Sequence, residues 1–458
     1  MGRFDGQNVV VVGLAKSGVA AVRLLVREGA RVVATDARQS AELAPALAVL
    51  DGTGVRFELG GHDPATLSGA DLVVVSPGVR TDTALFGPAR RRGVRVIGEL
   101  DLASAFLPCP AVAVTGTNGK STTTAFLGHL LLAAGTRVFV GGNLGTPLSD
   151  AVLSGEAIDV AVVEVSSFQL ETIEAFRPAV SLFLNLKPDH MDRYPTFGDY
   201  AAAKARIFMN QGPEDSAVLN ADDLEVGKAA SGIRPRVFGF SSSRALERGV
   251  TIKMKPGAFE LVWAAGGGAE AYLLRNPRIP GRHNAENAAA ALAAARLCGA
   301  PPAAVAEALN TFAGLEHRIE FVADRGGAAW YNDSKATNVD SVAVSLGSLD
   351  RPIVWIAGGR HKGAPYAPLR DLVAGRVKAG LLIGESAPLI AADLDGAAPF
   401  TMCGTLENAV KAAAEAAAPG DAVLLSPACS SYDQFADYEE RGRVFKTLVK
   451  ALPGGPRA

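Results

Sequence analysis

Cysteine is scarce in this chain. Only Cys109, Cys298, Cys403 and Cys429 occur in 458 residues, with no CxxC pair and no Cys/His metal spacing. A disulfide framework is therefore not expected, and a reducing compartment fits. An excess of one charge is also missing: 45 basic against 47 acidic residues give a formal net charge of -2. Neither a nucleic-acid footprint nor a polybasic membrane surface is indicated. No uncharged apolar stretch is long enough to cross a bilayer. The polar start Met1-Gly2-Arg3-Phe4-Asp5 lacks the apolar centre of a signal peptide. Short-period repeats and long disordered tracts are absent as well. The expectation is a cytoplasmic globular protein with no nucleic-acid and no membrane partner.

What is present is alternation. Short valine-rich runs bounded by glycine alternate with alanine-rich helical stretches, the pattern of βαβ units around buried parallel strands. Strands are predicted at 8–12, 32–35 and 72–75, at 111–114, 160–163 and 181–184, and at 353–357, 380–383 and 422–425. The length exceeds what one core serves. The domains are placed at 1–98, 99–314 and 315–458, with residues 256–268 expected to turn between peripheral strands. Parallel sheets bind ligands beyond the carboxyl ends of their strands, so chemistry is sought there.

The strand 111–114 runs into Thr115-Gly116-Thr117-Asn118-Gly119-Lys120-Ser121-Thr122 and then a helical stretch. Glycines let backbone fold round phosphate oxygens, and a helix N-terminus adds aligned N–H donors. Lys120 would reach the terminal phosphates and the Ser121 hydroxyl would ligate Mg²⁺. The general pattern has another glycine where this chain has Val114, and Gly116 makes a shorter variant. Glu164 ends a second apolar strand, where a carboxylate suits a hard cation. Alone it is as readily a helix cap. Gly13-Leu14-Ala15-Lys16-Ser17-Gly18 follows the first strand and Asp36 ends the second, as in a dinucleotide fingerprint. Ala15 replaces the middle glycine, and the same geometry would serve the diphosphate of a UDP-sugar.

These blocks stand with Asn185-Leu186-Lys187-Pro188-Asp189-His190-Met191-Asp192-Arg193-Tyr194-Pro195, with the segment from Asn332 to Asn338, and with Ser426-Pro427-Ala428-Cys429-Ser430-Ser431-Tyr432-Asp433-Gln434-Phe435. Together they resemble the Mur ligase family, which includes folylpolyglutamate synthase, over about residues 8–445. The resemblance implies an α/β protein of three domains. These are a Rossmann-like UDP-substrate domain, a central P-loop ATP domain with a parallel sheet, and a C-terminal Rossmann-like domain for the amino acid. It implies an ATP-dependent ligase that activates a carboxylate as an acyl phosphate, releases ADP and phosphate, and serves peptidoglycan precursor synthesis.

The resemblance also implies roles. Lys120, Glu164, His190, Lys204 and Lys335 would be catalytic. Residues Gly116, Thr117, Asn118, Gly119, Lys120, Ser121 and Thr122 would hold ATP, with Asn287 at the base. Arg318 and Asp333 would reach ATP across a domain cleft. Ser121, Glu164 and His190 would bind Mg²⁺, as two ions. Lys204 would carry a CO₂-derived carbamate, a role that no local feature suggests. Lys16, Ser17, Asp36, Arg38, Ser76 and Asn143 would bind the UDP substrate, and Thr337, Lys362, Ser431 and Tyr438 the amino acid. An Asp-Asn-Pro-Arg motif of the diaminopimelate-adding member is absent from the third domain. The near match Arg275-Asn276-Pro277-Arg278 is assigned to the central one. The implied substrates are UDP-N-acetylmuramoyl-L-alanine and D-glutamate, and the implied state is a monomer. Cys429 receives no role. Each residue taken singly has a bland alternative: a solvated lysine for Lys362, a cap for Ser431, a surface pair for Arg318. Competing functions are folate polyglutamylation, a nucleotide-gated binding module without catalysis, and an NAD-dependent oxidoreductase.

Overall fold

The computed structural model describes residues 2–453. The first sheet contains β1 (Asn8–Val12), β2 (Arg31–Asp36), β3 (Arg56–Leu59), β4 (Leu72–Val75) and β5 (Arg95–Gly98), in the order β3-β2-β1-β4-β5. All neighbours are parallel. Val9, Val10, Val11 and Val12 are at most 2% exposed, because a parallel sheet is covered on both faces and each fully buried valine contributes roughly 1.5–3 kcal/mol. The helix Lys16–Arg27 buries Gly18, Ala21, Val22 and Leu25 along one stripe. Strand order reverses between β1 and β4, which opens a crevice at their carboxyl ends.

The second sheet holds β6 (Ala111–Thr115), β7 (Val138–Gly142), β8 (Val160–Glu164), β9 (Val180–Phe183), β10 (Ser216–Asn220), β11 (Arg236–Ser241), β12 (Arg248–Lys255), β13 (Ala258–Ala265) and β14 (Ala269–Leu274). Its order is β14-β13-β12-β11-β10-β9-β6-β8-β7. The strands from β7 through β12 are parallel, and β13 and β14 add antiparallel. The sheet is thus mixed rather than parallel throughout, and residues 258–265 are strand where a turn was expected. Phe-Glu-Leu-Val-Trp is strong strand sequence, with Leu261 and Trp263 facing inward. Turning is left to the glycines on either side.

The third sheet holds β15 (Glu320–Arg325), β16 (Ala328–Asn332), β17 (Ile353–Gly358), β18 (Val377–Ile383), β19 (Phe400–Gly404) and β20 (Ala422–Leu425), in the order β15-β16-β20-β17-β18-β19. Only β15 runs antiparallel. The α/β class and the three sheets agree with the sequence expectation.

The chain forms two compact units, Met1–Leu274 with Glu286–Asn310, and Arg275–Ala285 with Thr311–Ala458. In the first, one core runs from Val9 and Leu25 to Leu148, Ile173 and Tyr200, so its two sheets share packing. The segment 275–285 packs with the second unit. The Asn276 amide donates to the Phe312 carbonyl at 2.7 Å and ties the segment there. Among the described residues no helix is long and apolar enough to cross a membrane.

Candidate functional site

The phosphate loop leaves β6, the strand flanked by β8 and β9. Gly116 and Gly119 have φ of 152° and 81°, backbone that side chains rarely adopt. A Cβ on Gly119 would lie 2.3 Å from Asn287 Oδ1. Asn287 is 8% exposed and accepts a hydrogen bond from Thr123 Oγ1 at 3.2 Å. It therefore braces the loop from below. The helix Lys120–Ala133 starts without a side-chain cap, so its first N–H groups suit an anion. Lys120 Nζ donates to the Gly116 and Thr117 carbonyls at 3.0 and 2.8 Å.

The loop is laced to the segment after β9. Thr117 N donates to Asn185 O at 3.0 Å, and Asn118 N donates to Asn185 Oδ1 at 2.8 Å. Asn185 Nδ2 donates back to Asn118 O at 3.0 Å. The Tyr200 hydroxyl lies 3.2 Å from Thr117 Oγ1, and burial pushes its pKa up to about 12. Sequence reasoning assigned nothing to Asn185 or Tyr200. The i,i+4 spacing of Tyr200 and Lys204 was the available signal.

Glu164 ends β8 opposite Val114, the last residue before the loop's Thr115. It is 2% exposed; Oε1 accepts from Asn143 Nδ2 at 2.7 Å, whereas Oε2 is buried and accepts no hydrogen bond. A buried carboxylate oxygen without a partner is costly. A divalent cation would satisfy it, and the hard oxygens of Glu164 and Ser121 fit Mg²⁺. His190, with φ of 55°, is half exposed; Arg193 N and Tyr194 N donate to its carbonyl at 2.9 and 3.0 Å. Among the described residues, the group of three metal-capable side chains with ligand atoms within 4.8 Å of one another is Glu316, His317 and Glu320. None of the expected ligands belongs to it, and Lys446 Nζ already lies 2.6 Å from Glu320 and 3.0 Å from Glu316.

Lys204 lies on the helix Phe197–Ala205, which Thr196 caps through a reciprocal box with Asp199. It is 1% exposed, its amine donates to Gly116 O at 2.9 Å, and it sits 4.8 Å from the Tyr200 ring centre. Burial, reinforced by the Lys120 cation, holds its pKa well below the ordinary lysine range. Lys120 and Lys204 thus converge on one carbonyl oxygen.

In the first sheet, Asp36 accepts from Leu14 N at 2.7 Å, from Arg38 N at 2.9 Å and from the Arg38 guanidinium at 2.8 Å. The hydrogen bonds from Arg38 hold the Asp36 carboxyl well below its usual range. Ser76 Oγ donates to Gly13 O at 2.8 Å. A cavity of about 520 Å³ is lined by Leu14, Ala15, Lys16 and Arg38 and, from the central region, by Gly145 and Thr146. Lys16 and Arg38 face this cavity, while Asp36 and Ser76 brace the loops around it.

In the second unit, Lys362 Nζ donates to Thr337 Oγ1 at 3.0 Å, and Lys335 Nζ lies 5.5 Å from the Tyr438 ring centre. Ser431 is 2% exposed. Asp333 is buried, accepting from Ser345 Oγ at 2.5 Å, Ser426 Oγ at 2.8 Å and Ile319 N at 3.2 Å. Burial pushes its pKa up to about 6. Cys429 is buried 2.9 Å from the Tyr366 hydroxyl and 3.0 Å from Ser386 Oγ. Burial raises its pKa, the opposite of what a reactive thiol needs.

A phosphate loop on a central parallel strand, with a cation-ready carboxylate on the neighbouring strand, defines a nucleotide-binding α/β enzyme. The chain belongs to the Mur ligase family. Residues 7–98 match the Mur ligase MurD-like N-terminal domain, 114–295 the Mur ligase middle domain, and 317–429 the Mur ligase glutamate ligase domain. It is 55% identical to the UDP-N-acetylmuramoylalanine–D-glutamate ligase of Anaeromyxobacter dehalogenans, covering 97% of this chain and 98% of that one. To the enzyme of the same name from Geotalea daltonii it is 47% identical, with 99% of both chains covered. Among solved structures it is similar to a MurF ligase from Thermotoga maritima, with TM-score 0.61, 16% identity and coverage of 98% and 96%. That last likeness concerns the fold.

Proposed function

We propose that this chain joins D-glutamate to UDP-N-acetylmuramoyl-L-alanine at the expense of ATP, giving ADP, phosphate and the extended peptide. The observation that carries the reading is the orphaned Glu164 Oε2 beside a loop on whose Gly116 carbonyl two lysines converge. In the reaction the alanyl carboxylate attacks the γ-phosphorus of ATP, the bond to the β-bridging oxygen breaks, and an acyl phosphate forms. The glutamate amine then attacks the acyl carbon, phosphate leaves, and the amine loses a proton.

Lys120 exchanges its loop carbonyls for phosphate oxygens and offsets charge in both steps. Glu164 and Ser121, with His190 as the further ligand, would hold Mg²⁺, which would supply neutralising charge to the phosphate oxygens. Burial beside a second cation favours the neutral form of the Lys204 amine, the form that attacks CO₂. Bonding of that nitrogen to the CO₂ carbon, with loss of a proton, would give a carbamate anion whose charge Lys120 would offset. Lys16 and Arg38 receive the UDP diphosphate and uridine in the cavity, with Ser17, Asp36, Ser76 and Asn143 supporting them. Thr337, Lys362, Ser431 and Tyr438 receive glutamate, whose two carboxylates call for cations and hydroxyl donors. Asn287 serves ATP, and Arg318, Asp333 and Lys335 act toward ATP and the acyl phosphate. The domain limits near residues 98 and 314, a monomeric state and a cytoplasmic location complete the proposal.

The test is phosphate release with ATP, Mg²⁺ and UDP-N-acetylmuramoyl-L-alanine, comparing D-glutamate with L-glutamate, lysine and diaminopimelate. Release confined to D-glutamate, with a product heavier by one glutamyl residue, is expected. ATP binding without release for any amino acid would leave only a binding module.

A further inference from the structure

Arg441 is fully buried, and among the described residues it forms no ion pair. It lies on the helix Tyr438–Ala451, anchored by buried Phe445 and Val449. Its guanidinium instead reaches oxygens at the carboxyl ends of three strands. Nε donates to Ser334 Oγ at 3.0 Å and Nη2 to Ser334 O at 2.9 Å. Nη2 also donates to Cys429 O at 3.2 Å, and Nη1 to Ser430 O at 3.3 Å and Gly358 O at 3.5 Å. These are the loop after β16, the last residue of β17 where its loop begins, and the loop after β20, on three adjacent strands. They carry Lys335 and Thr337, Lys362, and Ser431 respectively.

We infer that Arg441 is a positioning residue for the amino-acid site, its planar fork fixing the three loops relative to one another. The inference rests on the proposed assignment of Thr337, Lys362 and Ser431 to glutamate. A buried cation with no carboxylate in direct contact is expensive, and here five contacts to oxygens compensate it, with the Asp433 charge acting from further off. The surroundings are closely packed. A Cβ on Gly359 would lie 3.2 Å from Arg441 Nη1, and one on the adjoining Gly442 would lie 2.1 Å from His317 Nδ1. Ala428, in the loop after β20, is held at φ of 60°. Backbone bonds already join neighbouring loops, Ala428 N to Ala336 O at 2.9 Å and Arg360 N to Ser430 O at 3.0 Å. The guanidinium joins all three at once.

Arg441→Lys keeps the charge and loses the planar fork. In the full-length enzyme, the glutamate KM is expected to rise at least about tenfold, while the KM values for ATP and the UDP substrate stay within about twofold. Amide hydrogen exchange should quicken together at 333–338, 358–362 and 428–432, and remain unchanged at 116–122. Arg441→Met is the second variant and should show the larger glutamate effect. An unchanged glutamate KM with unchanged exchange in Arg441→Lys overturns the inference. So does a parallel change in all three KM values that merely follows a lowered unfolding temperature. Should the wild-type enzyme not use D-glutamate, the functional assignment falls, and the exchange experiment still decides whether Arg441 clamps the loops.

Discussion

Glu164 and Asp333 both end or follow strands of parallel sheets, both are buried, and they are treated differently by their surroundings. Glu164 has one oxygen bonded to Asn143 and one left bare. Asp333 is surrounded by two hydroxyls and a backbone N–H. A saturated carboxylate is finished by the protein itself, whereas an unsatisfied one in the interior leaves a position for a ligand. The first unit therefore keeps a position for a cation at one carboxylate beside a contiguous loop. The second spends its buried donors on holding scattered segments together.

The sharpest way to break this contrast is Glu164→Gln, which keeps the shape and removes the charge. Turnover is expected to fall by roughly 10³-fold or more, with unfolding temperature nearly unchanged. The Mg²⁺ concentration for half-maximal activity should rise. Retention of the wild-type Mg²⁺ dependence would mean that the bare oxygen holds no cation. Lys204→Met is expected to lose activity to a similar extent, roughly 10³-fold. The wild-type enzyme should lose activity in CO₂-free buffer and regain it with bicarbonate. A carbonyl signal from ¹³C-labelled bicarbonate on Lys204 checks the carbamate, and activity indifferent to CO₂ rejects it.

For Asp333 the expected effect is on stability and has a definite sign. Its folded pKa of about 6 stands above the ordinary 3.8, so the folded state prefers the proton. The contribution is fully present below about pH 4 and is lost as pH rises through about 6. The loss comes to about 3 kcal/mol at order of magnitude. In Asp333→Asn this fall should vanish, so the variant gains on the wild type between pH 4 and 7. Urea unfolding of both at several pH values measures it, and parallel pH profiles would show that Asp333 is charged at little cost.

The same contrast explains how much was legible in advance. Strand ends and the phosphate loop were readable because valine runs, glycines and Gly-Lys-Ser act within a few residues. Lys204 sits in Tyr200-Ala201-Ala202-Ala203-Lys204, which reads as an ordinary helix. Its buried amine donates to the Gly116 carbonyl, 88 positions away. Arg441 sits among Glu439, Glu440 and Arg443 and reads as a solvated charge, yet its partners lie as far back as Ser334. Residues 256–268 were misjudged because glycines drew attention from the strand sequence between them. Asp101 likewise gives no local hint that it accepts from the N–H groups of Glu174, Ala175 and Phe176. Long-range oxygen and nitrogen pairing carries no sequence period, and that is the part that remained hidden.

The smallest effect sharpens the picture of Asp333 as a finished carboxylate. Ser345→Ala removes the shorter of its two hydroxyl contacts but leaves Ser426 Oγ at 2.8 Å and Ile319 N at 3.2 Å. A net cost of about 1 kcal/mol is expected for one lost hydrogen bond to a buried acceptor. The cost should depend on pH, because a hydroxyl donor stabilises the carboxylate more than the carboxylic acid. Ser345→Ala should therefore be less destabilising at pH 5 than at pH 7.5. A cost that is equal at both pH values would show that the hydroxyl serves its other acceptor, the Ser341 carbonyl 3.0 Å away, more than it serves Asp333.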